Sequence, residues 1–498
     1  MSGKVDGYQV HTELRNFLQH SSVYFVGNLL NRLAVFVLLP VYTNYLRPEE
    51  YGLLELVLVL SSITRELLGL RLGHATIRFF FEYDDVADRK RLVGTSLVSI
   101  TVWCLLLTIL LMAFSKHFSV LLYGSSEYAL LIVLGFGCMF FEVTNQVPLA
   151  FMRAAKRSVL FVSSSFVHLV IRIALNIYLV VFLHKGVEGV LLGNLITSFF
   201  YWSFLNIFVI WHSGLSFDFP KLKNLWMYSY PLVIAALPGI FLSNMDRIFL
   251  GWYTSLETVG IYALAIRFGL LIHALLLNPF QMNYGPFRFS IMKQDNAPQL
   301  YSRMLIYFLY VVTVVGLAVA FFSREIIEVM ASEAFVDAYK FVPFIVLAII
   351  FNGINYIFQT GLMIAKKTAD IAYITVIGAA VNVASLYILV PKLGIYGAII
   401  TYVLVSFLMM TLTYVLSQKY YRIDYDLLRA GKIAAVAFTL FLATSLLDAM
   451  AFYERVVSKT FLILTFPFLL VPLGFYTKGE IEKFQVLRQK VGLRFFSQ

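Results

Sequence analysis

Apolar residues run through this chain in long blocks, and polar residues collect in the short stretches between them. A helix that crosses the hydrocarbon core needs about 20 mostly apolar residues. With that window the pattern predicts fourteen spans, over residues 23–45, 51–73, 93–114, 128–151, 158–183, 187–211, 226–250, 258–282, 301–322, 338–363, 369–391, 394–416, 431–452 and 458–477. No connection is long enough to fold into a separate catalytic domain. The longest on the outer side covers only 323–337. The expected fold is an all-α polytopic membrane protein of about 14 transmembrane helices.

Composition agrees. The chain is 60% hydrophobic and 13% charged, against about 45–50% and about 25% in soluble domains. So little polar surface cannot cover a water-facing shell. The net charge of +11 would suggest nucleic acid on a soluble protein. Here it has another origin, because Lys and Arg accumulate in the cytoplasmic loops of membrane proteins. With both termini inside, the inner segments hold 25 of the 39 Lys and Arg and the outer segments eight. Arg89, Lys90, Arg91, Arg153, Lys156, Arg157, Lys366 and Lys367 are among the inner group. This asymmetry predicts a multi-pass membrane protein with both termini cytoplasmic and no nucleic-acid partner. Residues 1–22 show no cleavable signal pattern. Leu14, Phe17 and Leu18 suit a short amphipathic helix lying on the inner surface. Cys104 and Cys138 lie in apolar runs and are too few for a disulfide framework or a metal site. No metal or cofactor is expected.

The chain also repeats itself. Tyr51-Gly52-Leu53-Leu54-Glu55-Leu56 matches Val259-Gly260-Ile261-Tyr262-Ala263-Leu264, and Gly186-Val187-Glu188-Gly189-Val190 matches Gly394-Ile395-Tyr396-Gly397-Ala398. The glycine pairs 52/260, 186/394 and 189/397 share one offset of 208. Ala155-Lys156-Arg157 resembles Ala365-Lys366-Lys367 at a slightly different offset. The expected organisation is a six-helix lobe over 23–213, a second over 224–420, two extra helices over 430–478 and a basic tail over 479–498. Six is even, so the halves are parallel repeats with a substrate cavity expected between them.

Three stretches carry a family resemblance. They are Asn28–Pro40–Tyr45 followed by Pro48-Glu49-Glu50-Tyr51-Gly52, then Asn244-Met245-Asp246-Arg247-Ile248-Phe249-Leu250-Gly251 leading to Val259-Gly260-Ile261-Tyr262, and the repeated Gly-x-x-Gly. In their order and spacing the chain resembles the O-antigen-type polysaccharide flippases of the multidrug/oligosaccharidyl-lipid/polysaccharide (MOP) exporter superfamily. The resemblance implies two V-arranged lobes, alternating access and an isoprenoid pyrophosphate-linked oligosaccharide moved from the inner to the outer leaflet for polysaccharide biosynthesis, such as that of lipopolysaccharide. It also implies a location in the bacterial inner (plasma) membrane and brings in membrane lipid and other polysaccharide-assembly membrane proteins as partners. The coupling ion, proton or sodium, stays open.

Charges within spans point to a site independently. A charge near the bilayer centre costs at least about 2.5–3.5 kcal/mol on insertion scales, so it should face the protein interior or a wet cavity. Asn28, Asn31 and Arg32 share one helix face. Glu55 and Glu66 lie eleven apart on another. Arg71, His74 and Arg78 make an i, i+3, i+7 stripe, and His168, Arg172 and Asn176 an i, i+4, i+8 stripe. His273 is the repeat counterpart of Arg65. Arg pairs with a dense anion through a planar fork of donors. Arg32, Arg65, Arg71, Arg267 and His273 are therefore the expected headgroup contacts. Asn28, Asn31, Glu55, Glu66, His168 and Arg172 are expected to line the cavity or serve coupling, although spanning Asn and His also act as interhelical glue and each Glu can simply neutralise an Arg. Asp246 and Arg247 are a candidate gating pair. No Walker A pattern occurs, so ATP is not hydrolysed by this chain. A drug or cation antiporter of the same superfamily is the alternative, and it would need acidic rather than basic cavity residues. A membrane polysaccharide polymerase is a further one. Its best sign would be an acidic loop, but Glu82-Tyr83-Asp84-Asp85 is balanced by Arg89, Lys90 and Arg91.

Overall fold

The computed structural model describes residues 36–447, 449–480 and 482. Residues 1–22, most of the basic tail, and the candidates Asn28, Asn31 and Arg32 lie outside them. After a helical stretch over 36–45 come seventeen α-helices among the described residues. They are α1 (Pro48–Leu68), α2 (Leu72–Glu82), α3 (Val86–Ala113), α4 (Ser115–Tyr123), α5 (Ala129–Thr144), α6 (Gln146–Ala154), α7 (Ser158–Ile177), α8 (Gly186–Ser213), α9 (Phe219–Tyr253), α10 (Leu256–Ile272), α11 (Asn278–Ser290), α12 (Ala297–Met330), α13 (Val342–Ile364), α14 (Thr368–Leu393), α15 (Ile395–Tyr420), α16 (Leu427–Ser445) and α17 (Phe452–Leu469). Among the described residues there is no β-strand.

Eleven of these segments are long and apolar enough to cross a membrane. They match eleven of the fourteen expected spans. The other three are not among the eleven. The first span falls mostly outside the described residues. α1 carries Glu55, Arg65 and Glu66, and α17 carries Glu454, Arg455 and Lys459, so each has more charges than an apolar span normally holds.

Hydropathy does not separate the two faces of such helices, and α3 shows why. Val93, Leu97, Ile100 and Cys104 are buried along one stripe, while Val102, Leu106 and Ile109 on the other side are exposed. Both faces are apolar because lipid and protein interior are equally so.

Contacts sort the chain into two compact units. One runs through Arg267 and adds Met330–Ala338 and Thr375–Val405; the other comprises Phe268–Val329, Tyr339–Ile374 and the chain from Ser406 on.

The repeat is visible in the backbone. Gly186 and Gly394 stand at φ +52° and +55°, the left-handed region that suits glycine. Lys156 and Lys366 also match, at φ +54° and +58°. Each closes its helix in the same way, since Arg157 N donates to Met152 O and Lys367 N to Leu362 O, both at 2.8 Å. That is the long bond of a Schellman ending.

Within the first unit, α1 and α10 cross backbone to backbone at Gly52 and Gly260. A Cβ on Gly52 would lie 2.0 Å from Leu256 O, and one on Gly260 would lie 2.0 Å from Pro48 O. These repeat-equivalent glycines face each other, so neither can be replaced without moving both helices. Overpacking of this kind costs about 1–3 kcal/mol. Gly52→Ala and Gly260→Ala should each lower thermal stability in detergent by about that amount. Gly239→Ala, where nothing lies within 4 Å of the added atom, should leave stability unchanged or raise it slightly.

Candidate functional site

The crossing at Gly52 brings a buried charge network together. Glu55 lies one turn further along α1, on the side that meets α10. Its Oε2 accepts from Arg267 Nη2 at 2.6 Å. Its Oε1 lies 3.2 Å from Arg247 Nε, in ion-pair contact but not aligned for a hydrogen bond. Arg247 Nη1 donates to Ser243 O at 2.7 Å and lies 3.7 Å from Asp246 Oδ1. Asp246 Oδ2 accepts from Tyr262 OH at 2.6 Å. One turn beyond, Ser62 Oγ donates to Asn244 Oδ1 at 2.9 Å. The network therefore holds two acids and two guanidinium groups. Buried charges survive in a low-dielectric setting only when paired and hydrogen-bonded in this way.

A second group gathers where α1 ends. Gly69 closes α1, and Leu70 and Arg71 then adopt left-handed backbone at φ +47° and +48°. For non-glycine residues this conformation costs about 1–2 kcal/mol each. The turn swings Arg71 back beside Glu66, with Nη2 3.1 Å from its Oε2. Arg65 Nη1 lies 2.9 Å from Glu142 Oε2 on α5. Together with His74, Gln146 and Arg153 these side chains line a polar cavity of about 320 Å³. Arg71 Nε is buried there without a hydrogen-bond partner.

The two groups differ in the property that decides their use. The side chains of Glu55, Arg247 and Arg267 are 8%, 10% and 18% exposed. Those of Arg65 and Glu142 are 39% and 45% exposed, and those of Arg71 and Glu66 34% and 40%. Breaking a buried pair costs about 3–5 kcal/mol. Half-exposed pairs are worth about 0–1 kcal/mol and exchange readily. The cavity can therefore offer its guanidinium groups to an incoming anion, whereas the network at Gly52 is committed.

The structure thus joins Arg65, Glu66 and Arg71 in one cavity and places Arg267 with Glu55, Asp246 and Arg247 in the other group. The Arg71–His74–Arg78 stripe is broken because α2 begins only at Leu72. Arg78 instead lies over the Tyr228 ring, 4.5 Å from its centroid. His168 stacks on Tyr201 with ring centroids 4.4 Å apart. The Arg172 carbonyl accepts from Asn176 Nδ2 at 2.8 Å, and the same group reaches Asn194 Oδ1 at 3.1 Å. That is interhelical glue. His273 opens a π-helical turn, His273–Leu277, in the second unit.

Sequence reasoning missed three things. Tyr262 looked like a span residue with no polar role. Arg153 reads in the sequence only as an inner-segment cation and Gln146 does not stand out within its span, though Arg153 follows Gln146 by seven residues and so shares its helix face. In the second unit, Glu325 Oε1 accepts from Arg455 Nε at 3.1 Å and Lys459 Nζ at 2.7 Å, and Arg455 Nη2 also holds Glu328. The signal was two helices carrying opposite charges at matching three- and four-residue spacings. The second unit also holds an almost wholly apolar cavity of about 690 Å³, lined by Leu309, Gly316, Phe344, Phe351, Met410 and Phe438 among others.

A helical membrane body with charges paired inside it is the frame of a polytopic membrane protein with a polar interior. The chain belongs to the polysaccharide biosynthesis protein family, whose model matches residues 17–292. An uncharacterized membrane protein of Methanocaldococcus jannaschii is 27% identical over 199 residues, which cover 38% of this chain and 38% of that protein. The fold is that of the MOP superfamily. The lipid II flippase MurJ in an inward closed conformation aligns over 92% of this chain and 100% of its own, with TM-score 0.72 and 14% identity. An inward-facing multidrug resistance MATE transporter of the MOP superfamily aligns over 79% and 94%, with TM-score 0.62 and 15% identity. A Vibrio cholerae MATE transporter aligns over 82% and 98%, with TM-score 0.55 and 16% identity.

The difference in burial is measurable. Glu55→Gln leaves two buried guanidinium groups short of a counter-charge and should destabilise the protein by about 3–5 kcal/mol. Glu142→Gln removes a half-exposed partner and should cost less than about 1 kcal/mol. Thermal unfolding of the purified variants in one detergent compares them directly.

Proposed function

We propose that this protein is a flippase for an isoprenoid pyrophosphate-linked oligosaccharide, carried from the inner to the outer leaflet by alternating access. The observation that carries this reading is the polar cavity lined by Arg65, Arg71, His74 and Arg153, in which Arg65 and Arg71 are paired with half-exposed, exchangeable carboxylates. A diphosphate is a dense anion that two guanidinium forks match in charge and geometry. At about 320 Å³ the cavity suits a phosphate group rather than a whole glycan, which leaves the sugars in water. The name of MurJ, a lipid II flippase, supports a lipid-linked substrate. Assembly of a surface polysaccharide such as O-antigen, an inner-membrane location and cytoplasmic termini belong to the same reading. So do polysaccharide-assembly partner proteins and drive by an ion or substrate gradient.

In this mechanism the two charge groups do different work. The half-exposed cavity binds and releases the headgroup. The buried network of Glu55, Asp246, Arg247 and Arg267 holds α1, α9 and α10 together at the glycine crossing. A cation antiporter would need carboxylates without cationic partners, whereas Glu55, Glu66 and Glu142 are each answered by an arginine.

A strain lacking the protein should accumulate lipid-linked sugar on the cytoplasmic side. The wild-type gene should clear it. The double variant Arg65→Gln/Arg71→Gln, expressed at the wild-type level, should clear it at least about tenfold more slowly, because two charge-assisted contacts worth about 1.5–3 kcal/mol each are gone. Clearance at the wild-type rate would remove the cavity from the mechanism. Absence of accumulation in the null strain would remove the substrate class.

A further inference from the structure

A transporter must let go of what it binds. The cavity contains an apparent contradiction: a site suited to an anion already holds two of its own. Glu66 lies 3.1 Å from Arg71 and Glu142 lies 2.9 Å from Arg65. Both carboxylates occupy the donor edges that a phosphate would need. From these contacts we infer that Glu66 and Glu142 are built-in competitors, which occupy the guanidinium groups between substrates and push a diphosphate off again. The inference deepens the flippase reading and rests on it.

Three features of the structure support it. First, the two acids come from different elements, α1 and α5, yet each meets a different arginine of the same cavity. Second, the pairs are half-exposed, so each is worth about 0–1 kcal/mol, a strength that competes with a ligand without excluding it. A buried pair like Glu55–Arg267 would exclude it. Third, the backbone works to keep one pair in place. Arg71 stands in a left-handed turn directly after Leu70 in the same strained conformation, and strain of this kind is retained where surrounding structure enforces it for function. Arg71 Nε stays buried without a partner in the meantime, so Glu66 satisfies only part of that guanidinium. A diphosphate has oxygens enough to satisfy more of it.

With Glu66 and Glu142 ionised, the three arginines of the cavity keep a net charge of +1. Without them the charge is +3, counted on the lining residues with His74 neutral. Removing the competitors should therefore tighten anion binding and slow release. A residue that merely holds the arginines in position predicts the reverse, because losing it would scatter the donors and weaken binding.

The test uses the full chain purified in detergent, with inorganic pyrophosphate as the probe and the dissociation constant read by isothermal titration calorimetry. Glu66→Gln/Glu142→Gln should bind pyrophosphate about tenfold more tightly than wild type, the effect expected for removing two weak internal competitors. In cells it should clear lipid-linked sugar more slowly despite that tighter binding. Unchanged or weaker binding by a variant that elutes and melts like wild type would overturn the inference and leave the headgroup site standing. If Glu66→Gln/Glu142→Gln does not fold, the single variants give the same reading, each expected about threefold tighter. No binding to wild type or to any of these variants would overturn the headgroup site itself, and the inference with it. A further arm uses nanodiscs of phosphatidylcholine with and without phosphatidylglycerol. Loss of the pyrophosphate signal only when phosphatidylglycerol is present would assign the cavity to bulk anionic lipid and overturn the inference. Persistence of the signal in both supports a site kept for the diphosphate.

Discussion

Charge in hydrocarbon must be answered by charge, and the interior of this protein is arranged around that constraint. Glu55 sits in a helix that packs against a neighbour with no side chain between the two backbones. At such a distance a carboxylate meets partners on two other helix segments at once, Arg247 on α9 and Arg267 on α10. The glycine contact and the ion network therefore depend on each other. Separate the helices by the width of a methyl group and the carboxylate no longer spans both guanidinium groups. Remove the carboxylate and two cations are left in a medium that does not solvate them.

The same chemistry with more water nearby behaves differently. At the end of α1 the pairs are equally short, yet they lie open enough for solvent to compete. Distance alone would rank the two groups as equals, and exposure separates them. One group is architecture and the other is available for binding. In the second unit the Glu325, Arg455 and Lys459 cluster falls on the architectural side, since its members are buried. It fastens α17 to α12, so this C-terminal helix is a bonded part of that unit.

Much of this was legible in the amino-acid order. Long apolar blocks gave the spans, because in a membrane both helix faces are apolar and the block length alone carries the signal. The repeat was legible because glycine marks backbone that other residues adopt poorly, and Gly186 and Gly394 do share one left-handed conformation. Glu55, Arg65, Arg71, Arg247 and Arg267 were all legible as charges requiring an explanation. Their grouping was not. Glu55 and Arg267 are 212 residues apart, and no local pattern says which of several distant charges is the partner. The helical stripe from Arg71 to Arg78 misled for a local reason: the left-handed turn at Leu70 and Arg71 breaks the helix just where a continuous one was assumed. Arg153 was hidden by its place at the end of α6, next to the basic residues Lys156 and Arg157 that follow.

The offset of 208 that pairs Gly52 with Gly260 also pairs Glu55 with Ala263 and Val59 with Arg267. The acid stands in one of the matching stretches and a base in the other, so the two stretches complement each other at this ion pair instead of repeating it. Either half made alone would bury a charge with no answer, and two copies of the same half could not supply it. Two identical chains meeting about a symmetry axis could not make this bond, because the position matched to Glu55 is Ala263 and the position matched to Arg267 is Val59.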